Sequence, residues 1–416
     1  MAKKNVVEDR LTRVDILKFF PKKSLLPILE GMVFRADGGL EANTLMNYMR
    51  VRGGHKSNMD VVLSRRILDT MVKTKDWPLE IHVTVDVREQ EYKGEKVQVE
   101  FYSAEIKTEK GREINYDCSD VYGIGDYPFP EIEYVGKQVV KKEIKWLPEI
   151  ILDGLVCQDM ITASNFANDD PTKTSLHQLC IKKGKVYATC GVVLYVKQLV
   201  DSQGREMRFD LSLPFPMLTY LKPWTSTAFI SEDGVFVKIE FLDGSFILGR
   251  APSSTFPNTA AIDQMFHPEM ESKLTWTAHI KYWNEMLETL TPFAKQVKGF
   301  TKVAMLLHSS GKVELMHAPN GPKVNELVYE PVPSIDYTLP CNADGDMRVT
   351  VMLDRDKLKK HIKTSDPRAT LNLTHFGKKS MPHPQPDRLY PLLVEVGDGS
   401  QRLIMPMMDS DEVCTH

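Results

Sequence analysis

Three short stretches of the sequence carry residue types that can do chemistry. Cys190 would be a nucleophile if a histidine activated its thiol, but no histidine is placed nearby in the sequence to do so, which favours a buried thiol. Segment 267–271, HPEME, contains metal-binding residue types, but its proline breaks the helical spacing that would bring them to one ion. Segment 121–130, VYGIGDYPFP, lacks the third glycine and the helix of a phosphate-binding loop. We therefore expect no catalytic site, no metal and no cofactor, and a protein that is not an enzyme.

Basic residues on predicted helices suggest a different chemistry, the attraction of phosphate. On the helix predicted within 61–74, Ile67, Leu68, Met71 and Val72 share one side. Basic residues lie on the opposite side of that helix, on one side of a second helix predicted within 349–364, and at the end of the first predicted helix. In that order they are Arg65, Arg66 and Lys73; Arg355, Lys357, Lys359, Lys360 and Lys363; and Lys22 and Lys23. One interpretation is a solvated helix face. The other is a surface that follows a phosphate backbone without reading bases.

Composition restricts the class of protein. The 416 residues are 42% apolar and 26% charged, as in ordinary globular proteins, and this length predicts two to four domains. With 53 basic and 56 acidic side chains the net charge is −3, which excludes a protein that is basic all over but allows one basic face. The six cysteines have no CxxC spacing, and no apolar run reaches 18 residues. We expect a cytoplasmic protein with reduced thiols and no membrane segment.

One order of elements occurs three times. Strand-to-helix junctions are predicted near Leu63, Leu211 and Leu353, which are 148 and 142 residues apart. The predicted hairpins lie at 25–42, 176–189 and 303–316, the helices before them at 12–20, 146–158 and 280–297, and the remaining strands at 79–106, 226–250 and 388–407. The pattern predicts an α+β fold of three similar domains, with boundaries 1–137, 138–268 and 269–416.

Five segments in order resemble one family. They are LLPILEGMVFRADGGLEA (25–42), YPFPEIE (127–133), YATCGVVLYV (187–196), TFPNTAAI (255–262) and the closing LIMPMM (403–408). Together they are similar to segments of the bacterial DNA polymerase III beta subunit, the sliding clamp, and the resemblance runs from about residue 10 to 408.

The resemblance implies a fold and partners. The expected fold is three clamp domains per chain, with helices lining a ring interior and sheets outside. Two chains would close head to tail as a homodimer around double-stranded DNA of any sequence, and the ring would tether the replicative polymerase after a clamp loader has placed it. The basic residues named above would then face DNA, and exposed edge strands near Ile114–Tyr116 and at the strand starting at Lys302 would pair across the subunit interface.

The resemblance also implies a groove for client peptides between the second and third domains. Methionine suits such a groove, because its unbranched thioether adapts to different anchors. By local match the groove residues are Leu176, Thr189, Gly191, Leu194, Pro257, Ile262, Leu403, Met405, Pro406 and Met407. For Leu176, Leu194 and Ile262, packing in the core is the competing interpretation.

The sequence departs from the family in several places. Cys190, Val192 and Val193 stand where the family has aspartate, histidine and arginine, which makes the groove rim more apolar. The first domain has NTLMN (43–47) at its corresponding turn, and an acidic tail follows Met408. These differences suggest a clamp from a phage or mobile element. The alternative function is a β-rich, three-domain structural or adaptor protein that does not encircle DNA.

Overall fold

The structure is a computed structural model. It describes residues 11–19, 24, 26–92, 95–125, 127–130, 132–135, 138–141, 143–191, 193–266, 272–289, 302–308, 312–317, 330–338, 341–342, 348–354, 370–377, 392–397 and 399–404. The chain divides into two compact units. The first unit is Met1–Gln158 with Pro216–Ala251, and the second is Asp159–Phe215 with Pro252–His416.

The described residues contain few helices and many strands. The helices are α1 (Arg13–Phe19), α2 (Arg65–Thr74), α3 (Gly154–Ser164), α4 (Phe215–Leu218), α5 (Thr259–Phe266) and α6 (Ile280–Thr289), with a 3₁₀ turn at Pro27–Glu30. The strands are β1 (Met32–Phe34), β2 (Gly39–Asn43), β3 (Asn47–Arg52), β4 (Lys56–Ser57), β5 (Val61–Leu63), β6 (Pro78–Tyr92), β7 (Glu95–Thr108), β8 (Glu113–Tyr116), β9 (Val121–Tyr122), β10 (Ile132–Val135), β11 (Gln138–Lys141), β12 (Ile150–Leu152), β13 (Gln178–Lys182), β14 (Lys185–Thr189), β15 (Val193–Gln198), β16 (Leu211–Pro214), β17 (Ser226–Ile230), β18 (Phe236–Phe241), β19 (Phe246–Arg250), β20 (Ser272–His279), β21 (Lys302–His308), β22 (Lys312–His317), β23 (Glu330–Thr338), β24 (Cys341–Asn342), β25 (Arg348–Asp354), β26 (Thr370–Gly377), β27 (Leu392–Val396) and β28 (Gln401–Ile404). An α+β fold, as predicted from the sequence, is confirmed.

Each unit is organised around a sheet of nine strands. In the first unit the order is β12-β17-β18-β19-β3-β2-β1-β5-β9, and in the second, read from the corresponding end, it is β24-β20-β26-β27-β28-β15-β14-β13-β16. Eight neighbouring strands match between the two sheets. In each, a meander of three strands (β1–β3 or β13–β15) joins the last strand of a second meander, β19 or β28, in antiparallel register. The sequence predicted a pattern that occurs three times, and the described residues show one sheet pattern that occurs twice, once in each unit.

Smaller sheets complete the two units. The first unit has the sheet β4-β6-β7-β8 and the pair β10-β11, and the second has the sheet β23-β22-β21-β25. Each nine-stranded sheet takes strands from both sides of one predicted boundary, at 137 or at 268. The division into three domains stays a prediction.

Helix α2 packs on one face of the sheet β4-β6-β7-β8. Its residues Ile67, Leu68 and Met71 are buried. Met71 lines a small hollow together with residues of β7 and β8, including the buried Ile106. Side chains alternate along a strand, so the next residue of β7, the exposed Lys107, points to the opposite face of the sheet.

Most of the predicted elements are confirmed. The three predicted hairpins are the antiparallel pairs β1–β2, β13–β14 and β21–β22. Strands β5 and β16 run into helices at the first two predicted junctions, although the second helix, α4, has only four residues. Strand β25 leads to the third junction, and the helix predicted after it lies outside the described residues.

Three predictions of detail are wrong. The helix expected at 146–158 begins only at Gly154, because Asp153 caps it: the Asp153 carboxylate accepts hydrogen bonds from the backbone N–H groups of Leu155 and Val156 at 2.9 and 3.0 Å. Val72, placed on the apolar side of α2, is 44% exposed and lies at the edge of that side. The strand starting at Lys302 is not an edge strand, since β21 lies between β22 and β25. The other expected edge is confirmed, because β8 ends its sheet.

Candidate functional site

An apolar cluster in the second unit brings together three residues of the predicted groove. Leu194 on β15, Ile262 on α5 and Leu403 on β28 are buried in one cluster with residues of β13, β14 and β27. Phe256, in the segment before α5, packs against this cluster and is half-buried. The cluster is therefore both part of the hydrophobic core and the layer beneath the surface where β15 and β28 meet.

The register of β15 and β28 fixes where the chain leaves the sheet. Leu194 is paired with Leu403 and Val193 with Ile404, the last residue of β28. The strand alternation places Leu194 and Leu403 on the same face, directly beside each other. Met405, Pro406 and Met407 follow Ile404 and lie outside the described residues.

The turn between β14 and β15 is held by its own polar groups. Thr189 is buried, and its hydroxyl donates to the backbone carbonyl of Val193 at 2.9 Å and accepts from the Gly191 N–H at 3.0 Å. The amide side chain of Asn168 donates to the Cys190 carbonyl at 2.9 Å, which ties the preceding loop to the turn. Gly191 has φ +90°, a left-handed conformation that glycine adopts without strain. The turn is thus fixed in position at the end of the hairpin.

Leu176 lies against this turn. A Cβ atom added at Gly191 would stand 3.4 Å from Leu176 Cδ1, so the two residues are neighbours in space. Leu176 is half-buried, while Gly191 and Pro257 are exposed. Of the seven predicted groove residues that the structure describes, these three are the ones that solvent or a ligand can reach, and the other four are buried.

Helix α5 is fixed to the hairpin by polar contacts. The Tyr187 hydroxyl lies 3.0 and 3.1 Å from the two carboxylate oxygens of Asp263, and Lys185 Nζ lies 3.3 Å from the same carboxylate. Burial raises the pKa of the Tyr187 phenol well above its ordinary value, and the Asp263 carboxylate raises it further. The tyrosine therefore stays protonated and acts as a donor, which holds α5 and Ile262 over the sheet.

The basic residues of α2 form a partly compensated surface. Arg65 is paired with Asp69 at 2.8 Å, one turn along the helix. Arg66 is paired with Asp120, but its side chain is 72% exposed. Lys73 is exposed in the last turn and has no ion pair among the described residues. The helix face keeps some positive charge accessible to solvent, without being a dense basic patch.

The other predicted DNA-facing residues lie outside the described residues. They are Lys22, Lys23, Arg355, Lys357, Lys359, Lys360 and Lys363.

The described residues contain no cluster of side chains that could hold a metal ion. Within them there is no group of three or more histidine, cysteine, aspartate or glutamate side chains placed to hold a metal ion. Four of the cysteines are described with their side chains, and none of the four is in a disulfide: Cys118 is exposed, Cys157 and Cys180 are buried, and Cys190 is half-buried. No helix in the described part of the chain is long and apolar enough to cross a membrane.

Sequence reasoning missed two residues of this site. Phe256 packs on the cluster beside the predicted Pro257, and its signal was the Phe-Pro pair in TFPN, of which only the proline was selected. Asn168 anchors the turn through a contact 22 residues away in sequence, and no local pattern predicts it. The contact depends on the fold of the loop that precedes β13.

The sequence matches no protein-family model and no curated protein. Solved structures match nearly the whole chain. The chain is similar to the DNA polymerase sliding clamp from Bacillus subtilis with a TM-score of 0.63 at 13% identity, covering 95% of this chain and 96% of that one. For the beta subunit of the Streptococcus pyogenes DNA polymerase the TM-score is 0.64 at 13% identity, covering 94% and 96%. For the griselimycin-bound sliding clamp from Pseudomonas aeruginosa it is 0.62 at 14% identity, covering 94% and 95%.

These similarities confirm the predicted fold. The chain has the fold of the bacterial DNA polymerase III beta sliding clamps, and it carries that fold with a divergent sequence.

Proposed function

We propose that this protein is a DNA sliding clamp. In this function two copies close head to tail into a ring around double-stranded DNA, and the ring tethers the replicative polymerase and other clients after a clamp loader has placed it. The observation that carries the proposal is the clamp fold over 94–95% of the chain, matched by 95–96% of each solved clamp. A protein with this role needs no catalytic residues, and its place of action is the cytoplasm, the host's if a phage encodes it.

The charge of the described residues fits this function. A ring holds DNA by enclosing it, so tight binding of phosphate is unnecessary and would slow sliding. Weak attraction is what α2 offers: Arg66 and Lys73 are exposed, while Asp69 and Asp120 reduce the net charge of the helix. The affinity from such attraction falls steeply as the salt concentration rises, because salt ions screen the charges.

The proposed DNA-facing role of α2 is tested by charge reversal. We expect Arg66→Glu with Lys73→Glu to shorten residence on DNA and to lower the slope of log affinity against log salt by about two, one for each lost phosphate contact. The matched control is Lys107→Glu, on the opposite face of the sheet that α2 covers. If the control changes DNA residence as much as the α2 variant, the helix does not face DNA.

A head-to-tail ring also needs complementary edges. Strand β8 ends its sheet and leaves one row of backbone N–H and C=O groups without a neighbouring strand among the described residues. We propose that the partner chain's third domain adds a strand there. The hydrogen-bonded pairs of β7 and β8 alternate from Thr108–Arg112 to Ile106–Ile114, so the Asn115 N–H faces away from β7. Asn115→Pro removes that donor from the edge, and a dimer whose native mass is unchanged by it would contradict this interface.

The second part of the proposal is a groove for client peptides beside Leu176. A peptide with leucine and phenylalanine anchors should bind there with micromolar affinity, about −8 kcal/mol. Leu176→Asp puts a carboxylate where the anchor would pack, and Met407→Asp does the same at the end of the chain, so each should abolish binding. The control is Ile151→Asp, at an exposed site of the other unit.

The groove proposal fails if the peptide binds both variants as it binds the parent. It also fails if the parent binds no such peptide. In that case, if the circular-DNA test given in the Discussion is negative too, the remaining function is the three-domain adaptor that does not encircle DNA.

A further inference from the structure

The first unit contains a pocket that the sequence did not predict. It has a volume of about 160 Å³ and lies beside the turn between β2 and β3. Its walls are that turn, the segment Pro128–Pro130, Phe236 of β18 and the end of β19 at Arg250.

This pocket repeats the position of the proposed peptide groove. Tyr48 of β3 is paired with Leu248 of β19, as Leu194 of β15 is paired with Leu403 of β28. The turns before β3 and β15 are closed by equivalent backbone hydrogen bonds. The Thr44 N–H donates to the Asn47 carbonyl at 2.9 Å, and the Cys190 N–H donates to the Val193 carbonyl at 3.2 Å. The two sites occupy equivalent places in the two repeated sheets.

A phenylalanine followed by a proline lies beside each site. Phe129, followed by a proline, lies 6.2 Å from the Tyr48 ring between centroids. Phe256, also followed by a proline, lies 6.4 Å from the Tyr187 ring. Each site therefore has a Phe-Pro pair beside it, although the two tyrosines lie on strands, β3 and β14, that are not equivalent in the two sheets.

Leu45 is the residue that distinguishes the first-unit turn. It has φ +69°, where the equivalent residue of the other turn is Gly191 at φ +90°. A leucine in this left-handed region is strained, and the strain is not offset by burial, since Leu45 is 50% exposed and its neighbour Met46 is 61% exposed. The strained Leu45 and the exposed Met46 thus leave apolar surface at the rim of the pocket, where a ligand could cover it.

The volume of the pocket decides how much can enter it. An internal cavity of about 150 Å³ holds one benzene-sized group, whereas sites for drug-sized ligands start at about 300 Å³. At about 160 Å³ the pocket takes one large apolar side chain and not a folded ligand.

The charge at the rim of the pocket indicates which chemical group of the ligand would neighbour that apolar side chain. Arg250 is exposed at the rim, and among the described residues no carboxylate is paired with it. A guanidinium in this position favours a carboxylate as the neighbouring group of the ligand.

We propose that this pocket is a second docking site, which binds an extended segment of a partner protein through one leucine, methionine or phenylalanine side chain and an adjacent aspartate or glutamate. The apolar side chain enters between Met46 and Phe129, and the carboxylate pairs with Arg250. The proposal goes beyond the proposed clamp function and does not require it, because the pocket lies wholly within the first unit.

The test uses the full chain and one labelled probe, the acetylated peptide Gly-Ser-Leu-Phe-Asp-Gly-Ser-Gly with fluorescein at its C-terminus. Binding is followed by fluorescence polarisation, and the site is located from the methyl resonance of Met46 in protein labelled at methionine methyl groups. We expect the Met46 resonance to shift on titration, and Arg250→Glu to weaken binding at this site about tenfold, the equivalent of one charge-assisted hydrogen bond. The matched control is Leu242→Asp, a residue that is 78% exposed and outside the pocket.

The outcomes separate this proposal from the peptide groove. A Met46 shift that persists in Leu176→Asp and weakens in Arg250→Glu supports the pocket, whether or not the groove binds. No Met46 shift with the probe, a shift insensitive to Arg250→Glu, or an equal loss in Leu242→Asp would overturn it. A probe with lysine in place of its aspartate should bind at least tenfold more weakly at the Met46 site, and equal binding would also overturn the proposal.

Discussion

Leu194 and Leu403 lie directly opposite each other across the antiparallel pair β15–β28, and both are buried. The floor of the proposed groove, formed by Leu194 and Leu403, therefore belongs to the hydrophobic core. Its rim, which includes the exposed Pro257, does not. Substitutions in the floor and at the rim should therefore differ in what they disturb.

Leu403→Ala should lower the free energy of unfolding by about 2–5 kcal/mol, because it removes buried methyl groups and leaves a cavity. Pro257→Ala, at the exposed rim, should change it by no more than about 0.5 kcal/mol. Urea unfolding of both variants measures the difference. Equal effects would show that the rim is as much a part of the core as the floor.

Replacing Leu45 tests the strain at the first-unit turn. Leu45→Gly should be more stable than Leu45→Ala by about 1 kcal/mol, since glycine adopts φ +69° without the clash that any Cβ meets there. The same comparison at Leu242, which has no left-handed backbone, should favour alanine or show no difference. Thermal unfolding of the four variants is the measurement, and a more stable Leu45→Ala would remove the argument from strain.

The cysteines should differ sharply in reactivity. Burial raises the pKa of the Cys157 thiol to about 11, against a smaller lowering effect of the Ser226 hydroxyl, whose oxygen lies 3.4 Å from the sulfur. At pH 8 about one Cys157 side chain in a thousand is then a thiolate, and it is also shielded from reagents. Iodoacetamide should alkylate the exposed Cys118 in the folded protein and Cys157 only after unfolding. Mass spectrometry reads both sites, and equal rates would contradict the burial of Cys157.

His55 should make stability depend on pH. Burial lowers its pKa, and the charge of Arg13 lowers it further, against the hydrogen bond of Nε2 to the Arg35 carbonyl at 3.0 Å. The unfolded chain then binds a proton more readily than the folded one, so this contribution to stability is complete above the ordinary histidine pKa of 6.5 and is lost as the pH falls below it.

We therefore expect the free energy of unfolding to decrease between pH 7.5 and 5, and His55→Gln to reduce that decrease. His82→Gln, at an exposed position of β6, is the control and should leave the decrease unchanged. The comparison is between slopes, so a general loss of stability in His55→Gln does not affect it. A slope equal to that of the parent would contradict the effect of burial at His55.

Many of the helices and strands could be predicted from the sequence, because local patterns of apolar residues and turn residues indicate them. Hairpins such as β13–β14 appear as apolar runs around a glycine turn, and α2 appears as a helix-period stretch after a short β-rich run. The boundary at Gly154 was missed because the apolar residues before it, at 150–152, fit a strand as well as a helix. The cap at Asp153 was the signal that distinguishes them.

The sites were less predictable, because they depend on which strands become neighbours. That β28 pairs with β15, and β19 with β3, is a long-range choice that no local pattern records. For the groove, resemblance to a family supplied the candidate residues; Leu194, Ile262 and Leu403 share one buried cluster, and their role in a groove stays a prediction. The pocket beside Met46 is formed by strands of distant parts of the chain, β3 and β19, so no local pattern predicts it.

The central claim is that two copies enclose DNA, and retention on circular DNA tests it most directly. The dilute protein is mixed with a nicked plasmid, concentrated so that rings can close, cross-linked with glutaraldehyde, and washed in about 1 M NaCl, where the Debye length of about 3 Å leaves little electrostatic binding. We predict that cross-linked dimers stay on the plasmid through the wash and are released when a restriction enzyme linearises it. Complete loss from the circular plasmid in the wash, or equal retention before and after linearisation, would contradict enclosure.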